Sequence, residues 1–384
     1  MRLLYLLTAY PRWSETFVRQ DIRLLLEAGA GFRLLSLFPG DCIPEQGWPA
    51  CDCLTPSGAS GAGRGYGMPA CPGWLRERLS LWTHRHLLKR LLDYCSAHGI
   101  EFIYADFADL AALLACEAAT RLGIRYAVGL HAHDVHAFKY SGRLLQKATA
   151  LFVCNAAARK ALWERFPFCR EKTRLIPHGI DLARWHFRRS RGAKRTLLFA
   201  GRLVPKKGLA ILLDAVRLLA EEGEALELVV AGDGPLAETL RKRAEGLPLR
   251  WMGRCSRNEV RELMQEAGAL VVPSVEDAQG DSDGIPNVML EAMAIGLPVI
   301  GSRAGGLPEL LTEQTGWTVP QLAPAPLAQA IRLAFASPEA CLRRSEAARR
   351  AVEECFDART LSKERMRCLQ EAFDASPANG NWMK

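Results

Sequence analysis

The stretch TLLFAGRLVPKKGLAILLDAV, residues 196–216, decides the fold. Thr196–Ala200 is a short run of almost unbroken apolar residues, as a strand covered on both faces must be. A basic, glycine-bearing turn then leads into a helix expected over Leu209–Glu222. The same rhythm extends in both directions. Downstream, strands are expected at Leu226–Ala231, Leu249–Met252, Ala269–Val272, Pro298–Gly301 and Gly316–Val319, with a helix at Leu236–Ala244. Upstream they are expected at Leu3–Leu7, Arg33–Leu37, Phe102–Ala105, Tyr126–Leu130, Ala150–Cys154 and Arg174–Ile176. Strands alternating with helices make parallel sheets. Two such series predict an α/β protein of two Rossmann-like domains facing across a cleft.

The expected division is 1–185 for the first domain and 186–360 for the second. Ile176–Arg195 serves as linker, residues 361–376 form a helix crossing back to the first domain, and 377–384 fray. Residues 55–73, rich in Gly, Ser and Pro, read as a mobile loop. With 49% hydrophobic and 24% charged residues the chain is neither disordered nor fibrous. Leu3–Leu7 is too short for a signal peptide core, and no run approaches the roughly 20 apolar residues that span a bilayer. The expectation is a cytoplasmic protein. Its 12 cysteines contain no Cys-x-x-Cys unit, which predicts reduced thiols.

Charge is uneven. Residues 1–190 carry 25 Lys and Arg against 16 Asp and Glu, whereas residues 191–384 carry 25 against 26. A basic first half suits an anionic partner, such as the inner membrane surface or a lipid-diphosphate acceptor. No basic run is interleaved with stacking aromatics, which excludes nucleic acid.

In open α/β sheets ligands bind beyond the carboxyl ends of the strands, and the distinctive polar residues collect there. The first series offers Tyr10-Pro11-Arg12-Trp13-Ser14-Glu15-Thr16, then His131, His133 and Asp134. The second offers Gly201-Arg202, Gly232-Asp233-Gly234-Pro235, Ser274–Asp283, Ser302-Arg303 and Gly305-Gly306. Gly201, Arg202 and Lys207, leading into a helix, make a diphosphate cradle. In the stretch Asp283-Gly284-Ile285-Pro286-Asn287-Val288-Met289-Leu290-Glu291, Gly284 and Pro286 shape a turn whose amides open a helix near Asn287 and attract an anion. Glu291 falls about one turn inside that helix, in reach of ribose hydroxyls. His131, His133 and His136 lack a Cys or carboxylate cluster to complete a metal set, so no metal and no cofactor are expected.

These motifs, with Gly-Gly-Leu-Pro-Glu at 305–309 and Pro177-His178-Gly179-Ile180-Asp181, resemble the retaining GT-B glycosyltransferases of family 4 over nearly the whole chain. Tyr10–Val18 resembles the exopolysaccharide branch, the colanic acid and amylovoran enzymes. The resemblance implies transfer of a hexose from a nucleotide diphosphate sugar, UDP- ahead of GDP-, to a glycan or lipid-linked glycan with retention of configuration. It implies His131, Arg202, Lys207 and Asp283 as catalytic residues. Donor binding falls to Gly201, Gly232, Gly234, Gly284, Ile285, Pro286, Asn287, Val288, Leu290 and Glu291, and the acceptor side to Ser14, Glu15, Thr16 and Asp134. The family usually has Glu where this chain has Asp283; the carboxylate is retained, one methylene shorter.

Cations aimed at the leaving phosphate are the expected main catalytic contribution. No carboxylate is evident as a covalent nucleophile, which favours front-face retention. A non-catalytic partner in a polysaccharide assembly complex and a GT-B epimerase are the alternatives. A Rossmann dehydrogenase is excluded, because Gly232-Asp233-Gly234-Pro235 is not Gly-x-Gly-x-x-Gly.

Overall fold

The computed structural model describes residues 1–12, 15–42, 48–55, 71–131, 134–135, 138–188, 195–277 and 282–375. The chain packs as two units. One takes in residues 1–154, 158–177 and everything from Arg359; the other takes in 155–157 and 178–358.

The first unit runs β1 (Leu3–Tyr10), α1 (Thr16–Glu27), β2 (Phe32–Pro39), β3 (Asp52–Cys53), α2 (Gly73–Thr83), α3 (Arg85–Ala97), β4 (Phe102–Ala105), α4 (Leu110–Leu122), β5 (Arg125–Leu130), α5 (Arg143–Lys147), β6 (Ala150–Val153), α6 (Ala156–Arg165) and β7 (Thr173–Leu175). Its sheet is parallel, in the order β3-β2-β1-β4-β5-β6-β7. The side chains of β1 alternate between two cores, as the pleat requires. Leu4 and Leu6 join Leu87, Leu91, Leu114 and Leu145 on one face. Leu3, Tyr5 and Leu7 join Val18, Ile22 and Leu25 of α1 on the other. That second face is completed by Cys368, Leu369 and Ala372 of the last helix of the chain, Ala358–Asp374.

The second unit runs β8 (Thr196–Ala200), α7 (Leu209–Glu221), β9 (Glu227–Ala231), α8 (Ala237–Arg243), β10 (Leu249–Gly253), α9 (Arg257–Glu266), β11 (Ala269–Val272), α10 (Asn287–Ala294), β12 (Val299–Ser302), β13 (Trp317–Val319), α11 (Pro324–Ala336) and α12 (Pro338–Cys355); the helix that returns to the first unit is α13. Its parallel sheet has the order β10-β9-β8-β11-β12-β13. Both doubly wound sheets match the expected fold class.

Three details differ from the sequence reading. Packing divides the chain at Pro177/His178 and returns it at Arg359, rather than at 185/186 and 361. The expected linker is largely built into the second unit: Ile180 pairs with Asp357 as an isolated β-bridge, and Ile180 and Trp185 are core residues. Strand β3 was not expected, because two residues carry no periodicity. Loop 55–73 lies mostly, and tail 377–384 wholly, outside the described residues. The twelve cysteines form no disulfides. No helix among the described residues is long and apolar enough to cross a membrane.

Candidate functional site

In the second unit the polar residues gather at the carboxyl ends of β8, β9, β11 and β12. The Gly201 and Gly232 turns meet closely: Gly201 N donates to Ala231 O at 3.0 Å, and Leu203 N to Asp233 O at 2.9 Å. A Cβ on Gly232 would fall 1.9 Å from Gly201 O, so this position admits only glycine. Past Arg202 the chain forms a short 3-10 turn, Pro205–Lys207, closed by Gly208 at φ +65°. A Cβ on Gly208 would fall 1.8 Å from Pro273 O. This approach brings Lys207 beside the segment after β11.

There Lys207 Nζ donates to Asp283 at 2.9 Å, and Ser274 Oγ donates to the same carboxylate at 2.6 Å. The Asp283 main chain is fixed as well, its carbonyl accepting from Gly306 N at 2.9 Å. Asp283 is buried, while the Lys207 side chain keeps 21% of its surface. An ammonium has three donors, and a single carboxylate does not exhaust them. Arg202 is exposed, and among the described residues none holds its guanidinium. Ser274, read from the sequence only as the start of the polar loop Ser274–Asp283, completes the seat of Asp283.

Four residues beyond Asp283, α10 begins at Asn287, with Pro286 at the N-cap position. Glu291, one turn in, is buried, and Arg257 at the start of α9 grips it. Both contacts, Nε at 3.0 Å and Nη2 at 2.8 Å, fall on Oε1. Burial pushes the Glu291 carboxyl up, and Arg257 opposes this. Arg257 lies 34 positions away and announces itself by no motif. Leu290 departs from expectation. It is fully buried within the second unit's core, so its side chain is a packing element rather than a donor contact.

In the first unit the corresponding ends belong to β1, β4 and β5. His131 closes β5 with its ring between Phe107, stacked at 4.3 Å, and Phe17 at 5.2 Å. His131 Nε2 lies 2.7 Å from Asp106 O. A carbonyl only accepts, so Nε2 carries a proton. The Asp106 carboxylate accepts from Tyr5 OH and Tyr104 OH, each at 2.6 Å. Arg365 of α13 lies 3.1 Å from Asp21 and 3.8 Å from Asp106; all three side chains are buried. Desolvation raises the Asp106 carboxyl, and Arg365 is the largest opposing influence. Asp106 was not singled out in the sequence, although its place just after the apolar strand Phe102–Ala105 is a signal that could have found it. Arg365, Tyr5 and Tyr104 carry no such signal.

Asp134 was expected on the acceptor side, but its carboxylate turns back to accept from His131 N at 2.9 Å. It is a cap for its own loop. Glu15 precedes α1 and pairs with Arg12 at 3.0 Å; burial pushes its carboxyl up to about 7 against the Arg12 charge. Thr16 opens α1. Ser14 and His133 lie outside the described residues.

Residues 15–184 match the Glycosyltransferase Family 4 domain model, and residues 194–336 match the model for Glycosyl transferases group 1. The protein named as the colanic acid biosynthesis glycosyltransferase WcaL of Escherichia coli (strain K12) is 33% identical over 52% of this chain and 52% of its own. The amylovoran biosynthesis glycosyltransferase AmsK of Erwinia amylovora is 25% identical over 84% of this chain and 87% of its own. Several of the curated relatives it matches are covered by this chain over about half to two thirds of their length. In fold the chain is similar to the sucrose-phosphate synthase of Thermosynechococcus elongatus, with a TM-score of 0.75 and 21% identity over 98% of this chain and 100% of that one.

Proposed function

Because the chain belongs to the glycosyltransferases built from a family 4 domain followed by a group 1 domain, we propose that it transfers a hexose from a nucleoside diphosphate sugar, UDP- ahead of GDP-, to a glycan or lipid-linked glycan in surface polysaccharide synthesis. The observation that carries the reading is the Lys207–Asp283–Ser274 cluster four residues ahead of α10. Breaking the anomeric bond builds negative charge on the departing diphosphate. A fixed ammonium, an exposed guanidinium and the opening amides of a helix are the donors such charge requires. Lys207 and Arg202 supply the positive charge without a metal.

Asp283 holds Lys207 in place and grips a sugar hydroxyl from its second side. Glu291 takes the ribose through Oε2 while Arg257 keeps Oε1 fixed. His131, its Nε2 proton held by the Asp106 carbonyl, is the first unit's contribution to the reaction. Transfer proceeds with retention: the leaving phosphate oxygen accepts the acceptor proton on the face where the new bond forms.

A melting panel of UDP-, GDP- and ADP-hexoses, with and without chelator, tests the donor. A bound donor at about one hundred times its Kd stabilises by about 2.7 kcal/mol. The expected result is a UDP-hexose shift that survives chelation, and an acceptor-dependent product whose NMR spectrum shows the donor's anomeric configuration. The absence of any shift, or an inverted product, overturns the reading.

A further inference from the structure

Helices α2 and α3 in the first unit present a surface that the transfer chemistry does not use. Trp74, Arg78 and Trp82 follow one another at intervals of four, which places them in one stripe along α2. The stripe faces outward: Trp74 keeps 57% of its surface and Trp82 keeps 66%, and Leu79 beside them is also exposed. The opposite side of α2 is the packed one. Glu77 and Ser80 are buried there, with Glu77 accepting from Ser141 N at 2.8 Å and from Ser141 Oγ at 2.7 Å. The indoles are therefore not displaced core residues; the helix is anchored with them on its outer side.

Around the stripe the charges are mainly positive. Arg78, Arg85, Lys89 and Arg90 are exposed, and Asp93 is the only exposed acid on the two helices. Arg85 reaches back over the Trp82 ring at 5.3 Å. Large aromatic side chains with a polar edge, bordered by long cationic ones, match the water–lipid boundary, where the indole enters the headgroup layer and Arg or Lys meets lipid phosphate. A negatively charged plane complements a patch in which the cations Arg78, Arg85, Lys89 and Arg90 outnumber the single exposed acid, Asp93. The surplus of 25 Lys and Arg over 16 Asp and Glu in residues 1–190 points the same way.

We infer that the outer face of α2 and α3 is a docking surface for an anionic lipid bilayer, with Trp74 and Trp82 entering the headgroup layer. The inference does not depend on the donor chemistry, and its test reads binding alone. The full chain is floated with vesicles of phosphatidylcholine, with and without phosphatidylglycerol. Binding is expected only to the anionic vesicles and is weakened by salt. Trp74→Ala/Trp82→Ala is expected to lower the apparent affinity at least tenfold with an unchanged melting temperature. Arg78→Glu/Lys89→Glu should do the same by a separate route, and Phe168→Ala, an exposed apolar residue elsewhere in the unit, should have no effect. Equal binding to neutral vesicles, or wild-type binding by both double variants, overturns the proposal. Loss of donor binding with vesicle binding intact overturns the transferase reading instead.

Discussion

Each unit of this protein carries one tight polar cluster, and the two are built on opposite terms. The Arg365–Asp21–Asp106 group in the first unit is sealed, each side chain 6% exposed or less. The Lys207–Asp283–Ser274 group in the second leaves its ammonium 21% exposed. In the first, every charge is committed to internal neighbours, and Tyr5 and Tyr104 take the remaining acceptor capacity of Asp106. In the second, Lys207 and Ser274 anchor the carboxylate while the cation retains donors for something that arrives. Charge density alone therefore does not identify a working site; the burial of the cation separates a fastener from a tool.

This contrast sets the order of expected effects. Removing the sealed guanidinium should cost most. Arg365→Met strands two buried carboxylates, and breaking such a cluster from one side costs about 3–5 kcal/mol of stability, read by urea denaturation of the full chain. Asp21→Asn in the same background should recover part of the loss. Lys207→Ala should lower stability less than Arg365→Met does, because the ammonium is partly exposed and Ser274 still donates to Asp283. The same change should lose about 3 kcal/mol of transition-state stabilisation, seen as a fall in kcat/KM. Near-normal turnover would remove Lys207 from the mechanism and dissolve the comparison.

The smallest effect belongs to Glu15, between these extremes. Its folded carboxyl is raised to about 7, above the ordinary value of 4.5. Between those two pH values the unfolded chain releases a proton that the folded chain keeps, so stability falls as pH rises through this window. Glu15→Gln removes the effect. The variant's denaturation midpoint should vary less between pH 4.5 and 7, by up to about 2 kcal/mol relative to wild type. A variant as pH-sensitive as wild type would show that another group governs this range.

Much of the architecture was legible because it is written in short range. Strands such as Leu3–Leu7 and Ala269–Val272 are buried on both faces, and a run of apolar residues is the direct signature of that burial. Glycines at 208 and 232 were legible as turn residues, although what they permit is close backbone packing. What stayed hidden is long range. Asp283 and Lys207 were each singled out, but nothing local shows that they meet across 76 positions. Leu290 shared a motif with Glu291, and only helical geometry reveals that the one points into the core while the other meets Arg257. Asp21 and Arg365 stand near opposite ends of the chain, where neither periodicity nor spacing links them.

That last separation has a consequence for how the molecule is made. The first unit is the earlier to leave the ribosome, yet the guanidinium that neutralises its two interior acids is encoded near the finish, on the helix that also supplies Cys368, Leu369 and Ala372. A nascent chain halted after β7 therefore has an uncovered apolar flank and unbalanced carboxylates, and completion waits for the closing segment to emerge. A product that stops short of Arg365 lacks the part that locks the first unit.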